Sequence, residues 1–188
     1  MVEDLTAAVR LFERASQAGL PPAQERLAGM FEKGLGVGRD LKQAVFWYER
    51  AAQGGHVRAM HNLATLLASG ASGKPDYVTA LRWYTEAAEA GFRDSQFNTG
   101  LLLSRGIGSK SNPPGAFQWF SIAAAQGDAE AARKRDELAA RLTPADLKNA
   151  KAAADQWRPR AVDPIANEPP AAIPEWTAAL DRSSPNRS

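Results

Sequence analysis

Residues Asp40–Gly55 read DLKQAVFWYERAAQGG. Asp40 can cap a helix, because its carboxylate accepts backbone N–H groups that have no partner in a first turn. Ala44, Trp47, Tyr48, Ala51, Ala52 and Gly55 then follow at spacings of three and four, which places them on one helical face. Gly54-Gly55 ends the helix, since glycine enters the left-handed region at little cost. A second helix is expected from about Val57 to Ala68, with Met60, Leu63, Ala64 and Leu67 inward and Gly70 as its stop. The stretch is therefore one helix pair.

The same pattern returns every 36 residues in both directions. Alanine recurs at Ala8, Ala44, Ala80 and Ala116, and again at Ala15, Ala51, Ala87 and Ala123. Glycine recurs at Gly19, Gly55, Gly91 and Gly127. Aromatic columns run Phe12, Tyr48, Tyr84, Phe120 and Leu11, Trp47, Trp83, Trp119. Small residues let helices approach, and the large rings fill the space that remains. A period in this range is the signature of stacked repeats. The expected fold is all-α: a right-handed α-solenoid of four helix-pair repeats, a capping helix and a tail.

The repeats are expected at about 4–39, 40–75, 76–111 and 112–142. In the first, Pro21-Pro22 suits a helix start, where a missing N–H does no harm. The inner column Leu27, Leu63 becomes Thr99 and then Arg135, which is how a stack closes at a terminal repeat. Thr143-Pro144 opens a further helix to about Trp157, read as a cap over residues 143–157. From 158 to 188 the chain holds six of its twelve prolines and balanced charge, four basic against four acidic residues, so an extended or disordered tail is expected. Trp176 within it is read as a docking residue, on this domain or on a partner.

Composition narrows the function. A chain of 188 residues, 44% hydrophobic, suffices for one domain. The net charge is only +2, and the longest basic cluster, Arg133-Lys134-Arg135, is flanked by acids, so no nucleic-acid partner is expected. Without cysteine there is no disulfide, thiolate nucleophile or thiolate metal site. No apolar run is long enough to span a membrane. Met1-Val2 leads directly into a repeat, with no apolar leader region, so the chain reads as cytosolic or as part of a longer protein. His56 and His61 lie five apart and do not share a face as a metal pair would. Gly34-Leu35-Gly36-Val37-Gly38 follows a helix, so it reads as a turn between repeats and not as a phosphate cradle. No catalytic residue, metal or cofactor is expected, and the chain reads as a non-enzyme.

The repeated residues resemble the Sel1-like repeat, a relative of the tetratricopeptide repeat. Its pattern appears here as Ala44, Trp47, Ala51-Ala52, Gly55, Ala59, Leu63 and Gly70, with a Gly-x-Gly-Val turn at Gly34–Val37 before Asp40. The turn is weaker at Gly106-Ile107-Gly108, and the second repeat departs from it with Gly70-Ala71-Ser72-Gly73. A narrower resemblance lies in Asp136–Pro144 and Trp157-Arg158-Pro159, which are similar to the end of alphaproteobacterial PodJ-type polar localisation factors. That likeness implies a periplasmic repeat array following a membrane span and a coiled coil. Cytoplasmic location is the alternative.

Stacked repeats line up the outer positions of their first helices. That column reads Arg10, Phe46, Arg82, Gln118, with Arg50 beside Phe46. Phe46 is apolar where solvent is expected. It is either covered by inter-repeat packing or serves as a contact anchor for an acidic or amphipathic protein segment. The function expected is a protein-interaction scaffold, in the periplasmic part of a cell-polarity factor. The alternatives are a peptidoglycan-binding module that stacks Trp and Arg on sugars, and a periplasmic regulator of a sensor kinase.

Overall fold

The computed structural model describes residues 2–71 and 73–168. Among them there are only helices, turns and irregular segments. The helices are α1 (Val2–Gln17), α2 (Pro21–Lys33), α3 (Leu41–Gln53), α4 (Val57–Ser69), α5 (Tyr77–Glu89), α6 (Arg93–Arg105), α7 (Pro113–Ala125), α8 (Ala129–Ala139), α9 (Pro144–Gln156) and α10 (Pro164–Asn167). Among the first eight, α1 packs on α2, α5 on α6 and α7 on α8.

The glycine column explains the turns within pairs. Gly19, Gly55, Gly91 and Gly127 all take φ between 85° and 91°. Each pair closes with the same two bonds. In the second pair the Gly55 N–H reaches Ala52 C=O, and the His56 N–H reaches Ala51 C=O, each at 3.0 Å. This left-handed closure satisfies carbonyls that a helix end leaves open. In the first and third pairs a buried glutamine adds to it: Gln24 Nε2 donates to Ser16 C=O, and Gln96 Nε2 to Ala88 C=O.

The turns between pairs are periodic too. Asp40 N–H donates to Phe31 C=O, Asp76 N–H to Leu67 C=O and Asn112 N–H to Leu103 C=O, at 2.9–3.0 Å. The second turn therefore closes like its neighbours although its sequence departs from Gly-x-Gly. The same three side chains then cap α3, α5 and α7. Thr143 caps α9 as expected.

The described residues form two compact units, residues 2–59 with 162–168 and residues 60–161 without 72. In the first, α2 packs between α1 and α3. Its core holds Val9, Leu27 and Met30, flanked by Phe12, Phe31, Val37 and Trp47. In the second, α6, α8 and α9 pack against α7, and α5 packs on α6. Ala116, Phe120, Ala123 and Ala131 form one core there, and Ala88, Trp119 and Ile122 another. Trp157, just past α9, packs against the latter.

Two expectations change. Thr99 is fully buried, so the inner column does not open at the third repeat; the change to a solvated residue comes at Arg135, which is only partly buried. The region expected as a tail from 158 also differs in its first part. Residues 158–163 are irregular, but Pro164–Asn167 form α10, capped by Asp163. Residues 169–188, Trp176 included, lie outside the described residues.

Candidate partner-binding surface

Phe46 stands on α3 one residue before Trp47, whose ring packs in the core of the first unit. The same turn that sends Trp47 inward sends Phe46 outward, and Phe46 is 45% exposed. Inter-repeat packing does not cover it. Its ring meets Trp47 edge-on at 5.0 Å. Arg50, four residues on and so on the same face, holds its guanidinium 5.1 Å from the Phe46 ring centre. The arrangement is a cation over an aromatic face, with the half-buried Trp47 ring against its edge. Arg10 is exposed on α1 of the same unit.

Arg82 and Gln118 belong to the second unit. Arg82 is exposed on α5 and lies 4.9 Å over the Trp83 ring, repeating the cation–ring theme with a buried partner. Gln118 on α7 is half-buried. Of the five residues singled out in the sequence, the structure brings Phe46 and Arg50 together.

His56, His61 and Glu25 are shifted chiefly by burial. His56 is buried and caps α4, its Nδ1 accepting the Ala59 N–H at 3.2 Å. Burial pushes its pKa down to about 4, helped by the positive charge of Arg58. The His61 Nδ1 lies 2.8 Å from the Ser95 hydroxyl, and its ring packs near Tyr84 and Phe92. Burial lowers its pKa as well, against the opposing pull of Asp94. Burial raises the pKa of Glu25. No group of three His, Cys, Asp or Glu side chains among the described residues is placed to hold a metal ion. No helix among them is long and apolar enough to cross a membrane. Trp83 and Trp119 are buried, and Trp47 and Trp157 are half-buried.

The sequence reading missed a second cluster of polar contacts. Arg160 pairs with Glu86 at 2.8 Å, and its backbone N–H donates to Glu89 C=O at 2.7 Å. The Trp157 indole N–H donates to the Glu89 carboxylate at 3.3 Å. In the first unit, the Asn167 side chain accepts the Val57 N–H at 2.8 Å and donates to Gly55 C=O at 3.1 Å. The available signal was the acidic pair itself, because the equivalent positions in the earlier repeats are Arg14 with Gln17 and Arg50 with Gln53.

Paired helices in a 36-residue frame, with exposed side chains on their outer faces and no metal cluster among the described residues, define a helix-pair repeat protein of the solenoid class. Residues 2–20, 21–56, 57–92 and 93–128 match the Sel1 repeat model, and the chain belongs to that family. The family's units begin at α2, α4 and α6, one helix out of phase with the pairs described above. The fold is similar to the crystal structure of a Sel1 repeat protein from Oxalobacter formigenes, with a TM-score of 0.68 and 27% identity over 81% of this chain and 65% of that one. It is also similar in fold to c5321, a protective antigen of uropathogenic Escherichia coli strains, with a TM-score of 0.53 and 20% identity over 96% of this chain and 44% of that one. The chain thus spans less than two thirds of either relative. No curated protein sequence matches it. Sel1 repeat proteins generally mediate protein–protein interaction and are typically non-enzymatic.

Proposed function

We propose that this chain is the interaction module of a bacterial envelope scaffold, with Phe46 and Arg50 at the centre of its contact surface. The observation that supports this most is the exposed Phe46 ring held between Arg50 and Trp47. An exposed aromatic that is already ordered loses little entropy on binding, and such residues dominate interface energetics. With Arg50 and Arg10 exposed in the same unit, the surface suits an amphipathic or acidic protein segment. Arg82 and Gln118 are proposed as further contact residues. The likeness of Asp136–Pro144 and Trp157–Pro159 to PodJ-type factors supports a role in cell polarity and a periplasmic location.

The test is site-specific crosslinking from position 46 in cells, with Phe46→Ala/Arg50→Glu as the competitor-free control in pull-down. The reading expects a crosslinked envelope protein whose capture falls at least tenfold in the double variant while the helical signal is unchanged. Undiminished capture by that variant removes this surface from the interaction.

A further inference from the structure

The C-terminal turn of α5 carries Glu86 and Glu89. Carboxylates are disfavoured there, because the last carbonyls of a helix present partial negative charge. At the same positions α1 has Arg14 and Gln17, α3 has Arg50 and Gln53, and α7 has Ile122 and Ala125. The pair is peculiar to the third repeat. It is matched by a short segment that follows α9. Arg160 donates to the Glu86 carboxylate at 2.8 Å and to the Glu86 carbonyl at 3.3 Å. The Arg160 backbone N–H reaches Glu89 C=O, and the Trp157 indole N–H reaches the Glu89 carboxylate. The Trp157 ring meets Trp119 edge-on at 6.1 Å, within the cluster of Ala88, Trp119 and Ile122. Pro159 sits against Gly91, whose missing side chain leaves it room.

We propose that the α5 end is a peptide-recognition site occupied in cis by Trp157–Arg160, and that a partner protein's segment with an aromatic residue three before an arginine takes the same place. The occupant shows the chemistry that fits: an indole N–H for Glu89, a guanidinium for Glu86 and a proline over Gly91. Its hold is of the exchangeable kind. The Arg160 and Glu86 side chains are about half exposed, and exposed ion pairs contribute little each. The chain from Trp157 to Asp163 is irregular, so the segment can leave without unwinding a helix. What keeps it in place is the tether, which supplies a high effective concentration. A second copy of this chain is a poor donor. Reciprocal exchange would replace each contact by an identical one and still lose translational freedom.

The test uses the full chain and a fluorescein-labelled peptide of residues 155–163. In the unlatched variant Trp157→Ala/Arg160→Ala, peptide binding by fluorescence polarisation is expected at least tenfold tighter than in the unaltered chain. Adding Glu86→Gln/Glu89→Gln to the unlatched chain is expected to abolish it. Equal binding to the unaltered and unlatched chains overturns the proposal. So does binding that survives Glu86→Gln/Glu89→Gln, or no binding to an unlatched chain that keeps its helical signal. If the double variant loses that signal, Arg160→Glu carries the same comparison, because it retains Trp157 and sets a third carboxylate against Glu86. A doubled mass of the unaltered chain in light scattering, reverting in the unlatched variant, would assign the site to exchange between copies and overturn the partner reading.

Discussion

His56 is a histidine with a structural role: it is buried and caps a helix. Its position is the N-cap of α4, equivalent to Leu20, Phe92 and Asp128 in the other pairs. Asp128 caps α8 in the same way, accepting the Ala131 N–H. An imidazole can accept that bond only while the ring nitrogen is unprotonated. Burial lowers the His56 pKa from 6.5 to about 4, so between these values the unfolded chain binds a proton that the folded chain refuses. Stability is thus complete above pH 6.5 and declines as the pH falls towards 4, by at most about 1.4 kcal/mol per pH unit. His61 shifts in the same direction and adds to the same window. His56→Asn keeps an acceptor at the cap and removes the titration. Urea unfolding at pH 7 and pH 4.5 is expected to show a smaller loss of stability for the variant than for the unaltered chain. An equal loss would show that His56 is not the group refusing the proton. In sequence His56 is one of two histidines that do not share a face; its depressed pKa comes first from burial, which only the fold supplies, with Arg58, two residues on, adding to it.

At the scale of elements, the helices were legible because their stops and caps recur. Asp40, Asp76 and Asn112 repeat as caps, and four glycines repeat as stops, so each boundary was marked several times over. The irregular segment after α9 has no periodic copy, and its contacts span 68 to 74 residues. Periodicity cannot report such pairings. Two turn glycines separate local strain from long-range docking. Gly127 has φ 89° and nothing near the position of an added Cβ, whereas Gly91 has φ 91° with Pro159 Cβ 3.3 Å from that position. Gly127→Ala is expected to destabilise by about 1–2 kcal/mol, the strain of a left-handed alanine. Gly91→Ala is expected to exceed it, because the new methyl also presses on Pro159. Thermal unfolding of the two variants checks this ordering. Equal effects would indicate that Pro159 does not rest on the turn in solution.

At the scale of the whole molecule, the chain leaves the first unit within α4 and returns to it after Ala161. The return is secured in the first unit by few contacts. Ala166 is buried beside Gly55, and Asn167 engages the Val57 N–H and the Gly55 carbonyl, while Ile165 is 74% exposed. Asn167 thus supplies to α4 what a capping residue supplies locally, a partner for an orphan N–H, from 110 residues away. This was the part of the fold least visible in sequence, since Asn167 lies in a proline-rich stretch whose composition argues for a tail. Asn167→Ala removes these two bonds and a third, from the same amide to the Asp163 carbonyl, and leaves the Val57 N–H to water or unpaired. The expected loss is about 1 kcal/mol. Repeat proteins unfold by local units, so the loss belongs to the unit that holds the contact. Native-state hydrogen exchange on Asn167→Ala is expected to speed exchange at the start of α4 and in α2 and α3, leaving α6 and α7 at their original rates. Uniform acceleration along the chain would mean that the two units unfold as one. No acceleration would mean that α10 does not hold the first unit.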